Sequence, residues 1–177
     1  MIILKNISYT TNSNEKILDD INLNIKKGEF VVITGKSGSG KTTLASVING
    51  LISHYYEGTL TGEAYINGEK INDLELSKIG NQVGTVFQDP RSQFFMMDPF
   101  NEVAFGLCNR CLNKDEIKQR VKNSLQIFGI EHLKEKSIFK LSSGEKQKVA
   151  IASCYAMKPD IYLFNEEIGR ASCRERV

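Results

Sequence analysis

Gly35-Lys36-Ser37-Gly38-Ser39-Gly40-Lys41-Thr42-Thr43 sets glycines, a lysine and hydroxyls at the spacing of a phosphate-binding loop. Glycines there let the chain wrap closely enough to aim successive N–H groups at phosphate oxygens. A helix beginning at the end of the loop would add the partial positive charge of its N-terminus. Lys41 is placed to bridge the β- and γ-phosphates, and the Thr42 hydroxyl to ligate Mg²⁺. The bland alternative, an ordinary glycine-rich turn, fits the flanking sequence poorly. The implied chemistry is the binding of a nucleoside triphosphate.

Such a loop has to be held between a strand and a helix. Before it, Phe30 to Thr34 is an apolar run that reads as a buried parallel strand. After it, Leu44, Val47, Ile48 and Leu51 recur at helical spacing. Met1 to Tyr9 and Ile17 to Ile25 read as strands around a polar turn, with Leu18, Ile21, Leu23 and Ile25 on one face. Glu63 to Ile71 contains Asn67-Gly68, a hairpin signal because both residues tolerate positive φ. A short helix is expected over Leu74 to Ile79, then a strand over Gln82 to Phe87 ending at Gln88. From Asp89 to about Leu141 the pattern turns helical, with long helices over Asn101 to Leu112 and Lys114 to Phe128. Asn113 and Glu116 have the spacing of a capping box. Another helix is expected over Ser142 to Met157, followed by a buried strand, Pro159 to Phe164, running into Asn165-Glu166. The expected fold class is α/β: a P-loop NTPase core with a small antiparallel β subdomain and a helical insertion.

The 177 residues, 41% hydrophobic and 25% charged, suit one soluble globular domain. No run approaches a membrane span, and the N-terminus lacks a signal-peptide layout. Four scattered cysteines suggest a reducing, cytoplasmic compartment. Cys108 and Cys111 form a CxxC within a helical pattern; buried free thiols are expected, with a metal or redox pair as the alternative. His54 and His132 stand alone and are assigned no role. The net charge of +2 comes from the last ten residues, without which acidic and basic residues balance, and no basic stripe suggests nucleic acid.

Leu141-Ser142-Ser143-Gly144-Glu145, set between the phosphate loop and the strand ending at Asn165-Glu166, resembles the signature of an ABC-type ATPase domain. Val86-Phe87-Gln88-Asp89-Pro90-Arg91-Ser92-Gln93-Phe94-Phe95 is similar to the stretch around the glutamine loop of energy-coupling factor transporter ATPases, which drive vitamin and metal-ion uptake. Ile52 to Gly58 resembles that group too, particularly its tandem-domain members. The resemblance covers residues 1–166, with a helical subdomain at about 89–141. It implies a head-to-tail dimer with a second ABC domain, which is an identical chain, a paralogue or a fused tandem domain. It also implies an integral membrane partner at the cytoplasmic face, and Mg²⁺ with ATP. Ser142, Ser143, Gly144 and Glu145 would face the γ-phosphate held by the partner subunit. Gln88 would touch Mg²⁺ and the attacking water, Asn165 would stand near Mg²⁺, and Glu166 would polarise the water. Phe94, Phe95, Met96 and Met97 would lie near the membrane contact or form subdomain core. The other function classes are a soluble non-transport ABC protein and a nucleotide-binding module without turnover.

Five features depart from the family. Asn165 stands where an aspartate is usual, which removes a charge that orders Mg²⁺. Ser143 replaces a second glycine, and Glu145 a glutamine. The adenine-stacking position aligns with Thr11, and neighbouring Tyr9 is expected to pack in the sheet. Residues 167–177 resemble the translation of a sequencing-adapter oligonucleotide and are expected to be a non-native read-through tail.

Overall fold

The computed structural model describes residues 1–165. The chain divides into two compact units, Met1–Val83 and the part from Gly84 onward.

In the first unit, β1 (Ile2–Thr11) and β2 (Lys16–Ile25) form an antiparallel hairpin, followed by helices α1 (Lys41–Ile48) and α2 (Leu51–His54). Strands β3 (Gly58–Ile66) and β4 (Glu69–Lys70) complete a sheet of order β2-β1-β3-β4, and α3 (Leu76–Gln82) ends the unit. The turn between β3 and β4 uses Asn67 at φ 50 and Gly68 at φ 88, the conformations a tight hairpin demands. Apolar burial then explains the packing. Leu4, Ile7, Ile66, Val47, Ile48, Ile71 and Ile79 are all buried, so the inner face of the sheet and one stripe of α1 share a core.

The β1–β2 ladder is interrupted three times, the last time between Tyr9 and Thr10. Leu4 pairs with Leu23, Ile7 with Ile21 and Tyr9 with Leu18, so each strand carries one extra residue in turn. Asn6 and Asp20, both at φ 50, take up the slack. The Asn6 amide donates to Asp20 Oδ1 at 2.7 Å, and the Asn6 backbone N–H donates to Asn22 Oδ1 at 2.9 Å. Across on β3, Gly62 (φ 89) approaches this bulge so closely that a Cβ would lie 2.4 Å from the Asn6 carbonyl oxygen. The bulge on β2 is what carries Leu18 and Ile21 out of strict alternation.

Phe30 to Thr34 departs from expectation. The segment is not a strand, and Phe30 is 90% and Val32 56% exposed, with Val31 and Ile33 exposed too. An apolar run states that a segment gains from burial but not which neighbour supplies ladder hydrogen bonds. Among the described residues none pairs with it.

In the second unit, β5 (Val83–Val86) leads to α4 (Pro99–Cys108), α5 (Lys114–Ile127) and α6 (Ser143–Ala156), then β6 (Ile161–Phe164), which pairs with β5. Val103, Leu107, Val121, Leu125, Leu133, Val149 and Ala152 form the helical core. Glycine permits two close approaches here. A Cβ on Gly106 would lie 2.7 Å from Met157 Sδ, and one on Gly84 would lie 2.5 Å from Cys154 Sγ. β6 is half-buried rather than buried: Tyr162 and Phe164 face outward and stack on each other, with ring centroids 6.4 Å apart.

Asn113 caps α5, its Oδ1 accepting from the Glu116 N–H at 2.8 Å. The reciprocal half of the box is not made: Glu116 reaches forward instead, accepting from Arg120 Nη2 at 2.6 Å. Charge pairing one turn along the helix therefore replaces the return bond. The two CxxC thiols are also exposed rather than buried, because Cys108 falls off the Val103–Leu107 stripe at the end of α4 and Cys111 lies beyond it.

Candidate nucleotide site

The phosphate loop lies wholly in the first unit, and its shape follows from its glycines. Gly38 and Gly40 have φ of 81 and 84, which side-chain-bearing residues rarely adopt. Gly35 is needed for space: a Cβ there would lie 2.6 Å from Ser39 Oγ. Gly40 also abuts β2, where a Cβ would meet Leu18 Cδ2 at 3.0 Å and the Ile17 carbonyl oxygen at 3.1 Å. The Lys41 ammonium folds back over the loop and donates to the carbonyls of Gly35 (2.9 Å) and Lys36 (2.7 Å). Lys36 and Ser39 close the turn through Ser39 N–H to Lys36 O at 3.2 Å, and Ser37 lies exposed between them.

α1 begins directly at Lys41, with Thr42 and Thr43 in its first turn. Gly40 offers no side-chain cap, and no acidic residue stands in that turn. Leading N–H groups and a lysine ammonium thus stand at one cradle, with no carboxylate in the first turn of α1 to oppose an anion. These residues fit a polyphosphate. Tyr9 is 4% exposed and its hydroxyl donates to the Glu57 carbonyl at 2.9 Å, so it packs in the sheet as expected.

The second unit carries the other candidates. The Asn165 N–H donates to the Val86 carbonyl at 2.9 Å, so the carboxyl ends of β5 and β6 lie side by side. Gln88 and Asn165 leave from that one end, where α/β sheets characteristically bind ligands. Gln88 is exposed on a built turn. Asp89 accepts from the Arg91 N–H at 3.0 Å, and Ser92 Oγ donates to the Asp89 carbonyl at 2.8 Å. The bond from the Arg91 backbone, helped by the Arg91 side chain, holds the Asp89 carboxyl below its usual range. Gln93 bridges the turn, its Oε1 accepting from Phe87 N–H (3.2 Å) and its Nε2 donating to Thr85 O (3.3 Å).

Ser142 caps α6 through a complete capping box. Its hydroxyl accepts from the Glu145 N–H at 3.3 Å, and the Glu145 carboxylate accepts from the Ser142 N–H at 2.7 Å. The carboxylate also accepts from the Ser142 hydroxyl at 2.8 Å. These bonds, the backbone one foremost, pull the Glu145 carboxyl below its usual range. Ser143 and Gly144 are exposed in the first turn. Glu166, the expected water-polarising residue, lies outside the described residues, as do residues 167–177.

Phe94 packs against the helical core, whereas Phe95 (73%) and Met97 (64%) are exposed. A residue that sequence reasoning passed over sets their position. Glu102, 4% exposed, accepts from the N–H groups of Phe95 (2.9 Å) and Met96 (2.8 Å). Its signal was a lone acid in the apolar stripe Pro99, Val103, Ala104, Leu107. Gln93 carried no signal beyond its polarity. Among the described residues no three His, Cys, Asp or Glu side chains gather as a metal cluster, and no helix is long and apolar enough to cross a membrane.

Residues 18–168 match the family model for ABC transporters. The chain belongs to the ABC transporter family. Over 167 residues it is 48% identical to a protein of Treponema denticola named as an ABC transporter ATP-binding protein, covering 94% of this chain and 34% of that one. A protein of the same description from Pyrococcus abyssi is 39% identical over 167 residues, with 60% of its length covered. The chain thus spans about a third of the Treponema relative's length. Among solved structures, cbiO1 from Clostridium perfringens, described as part of the ABC transporter complex cbiONQ, superposes with a TM-score of 0.80 at 35% identity. That match covers 92% of this chain and 64% of cbiO1. The ATP-binding cassette MJ0796, in a dimeric post-hydrolysis state with ADP and Pi, gives 0.79 at 32% identity, covering 93% and 73%. The fold is the P-loop NTPase fold of ABC ATPases, α/β with an antiparallel sheet and helices.

Proposed function

We propose that this chain is the nucleotide-binding part of an ATPase subunit that powers an energy-coupling factor importer for a vitamin or metal ion. The observation that carries ATP binding is the loop around Lys41, with its ammonium turned over a glycine cradle at an uncapped helix start. The importer subtype is supported by the likeness to cbiO1 and by the Val86–Phe95 segment, with Phe95 exposed in it and Met97 exposed just beyond it.

In this reading the amides of residues 35–43 and Lys41 hold the phosphates. Mg²⁺ would be held by Thr42 with Gln88 and Asn165, and would neutralise charge on the β- and γ-oxygens. Gln88 orients water and Glu166 polarises it for in-line attack. Ser142 to Glu145 close the site of a second ABC domain in a head-to-tail dimer, where Ser142 has to exchange its bond to Glu145 for the γ-phosphate. Phe95 and Met97 meet an integral membrane subunit at the cytoplasmic face. The ATPase domain is residues 1–166 with a helical subdomain at about 89–141, and residues 167–177 are a read-through tail.

The test uses the full-length gene product. Lys41→Ala should weaken ATP binding at least about 100-fold, roughly the loss of two charge-assisted contacts. Unchanged affinity sinks the reading. Asn165→Asp should tighten Mg·ATP about 10–100-fold, since a charge-assisted contact is worth about 1.5–3 kcal/mol. Co-purification with a membrane subunit separates the importer from a soluble ABC protein.

A further inference from the structure

Cys108 closes α4 and Cys111 stands three residues on, both exposed. The Cys111 N–H donates to the Cys108 carbonyl at 3.0 Å, and the Arg110 N–H to the Leu107 carbonyl at 3.1 Å. A turn closed in this way holds its end Cα atoms within about 7 Å. A disulfide spans Cα separations of about 4.4–6.8 Å. Cys111 lies at φ 54, in the left-handed region that glycine ordinarily fills just past a helix end, so a thiol occupies a conformationally costly position.

The turn is fixed from both sides. The Arg110 guanidinium donates to the Met157 carbonyl at 2.6 Å, and Leu112 packs against the helical core. The backbone on both sides of the pair is thereby anchored, while the two thiols stay exposed.

We propose that Cys108 and Cys111 form a reversible dithiol modification site whose reaction partner is a low-molecular-weight disulfide. One thiolate attacks a sulfur of the small disulfide, breaking its S–S bond and expelling one small thiolate. The second protein thiolate attacks the protein sulfur of the mixed disulfide, forming the Cys108–Cys111 bond and expelling the other. The chain loses two electrons, the small disulfide gains two, and the two protein thiol protons end on the two released thiols. Cys154 provides the contrast: it is buried against Val86, and burial pushes its thiol up to about 11.

The experiment exposes the reduced 177-residue chain to oxidised glutathione, quenches with acid and maps peptides by mass. The 108–111 peptide should lose two hydrogens, retain no glutathione and be restored by dithiothreitol. The Cys111→Ser variant should instead keep glutathione on Cys108, and Cys154 should react at least about tenfold more slowly than the pair. Phenylarsine oxide, which bridges neighbouring thiols, should bind the unsubstituted chain with one equivalent at this pair, and should lose that equivalent in Cys108→Ser. Stable glutathione adducts at Cys108 or Cys111 in the unsubstituted chain overturn the proposal. So does linkage to Cys154 or Cys173 in place of the internal bond, or reaction no faster than that of Cys154.

Discussion

Glu102 sits where a carboxylate is costly, and its two backbone partners do not fully offset its loss of water. Desolvation raises its pKa, against the lowering effect of the Met96 and Phe95 N–H groups. A folded pKa above the unfolded one means that the stability it contributes is fully present below the ordinary Glu value of 4.5. That contribution is lost as pH rises through the raised value. Denaturant titrations from acid to neutral pH should show stability falling in the native chain relative to Glu102→Gln. Parallel pH profiles for the two would contradict the assignment. Truncation to alanine removes the acceptor altogether and should cost about 1–3 kcal/mol, because the part-buried Phe95 and Met96 N–H groups lose their partner. Nothing in the local sequence names those partners. An acid in an apolar stripe announces a buried charge, but only tertiary structure reveals that it ties down Phe95 and Met96.

At the scale of elements, the start of α6 turns on a bond between two neighbours. Glu145 has its pKa lowered by the Ser142 N–H and then by the Ser142 hydroxyl. A depressed folded pKa contributes stability above the ordinary Glu value of 4.5 that disappears as pH falls through the lower folded value. The protection of the first turn of α6 against hydrogen exchange, taken relative to the intrinsic amide rate at each pH, should therefore fall on acidification, and Glu145→Gln should flatten that response. Equal responses in both proteins would show that the carboxylate does not hold the helix start. The capping box expected at Asn113 and the one found at Ser142 show what spacing does and does not encode. Ser142–Glu145 and Asn113–Glu116 have the same pattern, yet only the first closes, because Arg120 stands one turn beyond Glu116 and draws its carboxylate away. The hairpin at Asn67-Gly68 and the glycine loop were legible because their backbone angles depend on the residues themselves. The bulge pair Asn6 and Asp20 was visible only as the slipped spacing from Leu18 to Ile21, since a bulge belongs to two strands at once.

For the molecule as a whole, the least legible segment is Phe30 to Ile33, apolar in pattern yet exposed in position. An unpaired β-prone stretch of this kind invites pairing between chains. The 177-residue chain should self-associate with rising concentration in light scattering, and Val31→Lys with Val32→Lys should suppress it. Persistence of association in that double variant would locate the contact elsewhere. The contact of Gly40 with β2 has a different consequence. Because the space beside the Gly40 backbone is closed by Ile17 and Leu18, the hairpin would serve as an anvil for the proposed phosphate loop. The rigidity of a proposed clasp on a triphosphate would then be set partly by side chains that never touch it, and wear in that backing would be felt as a looser grip on the nucleotide.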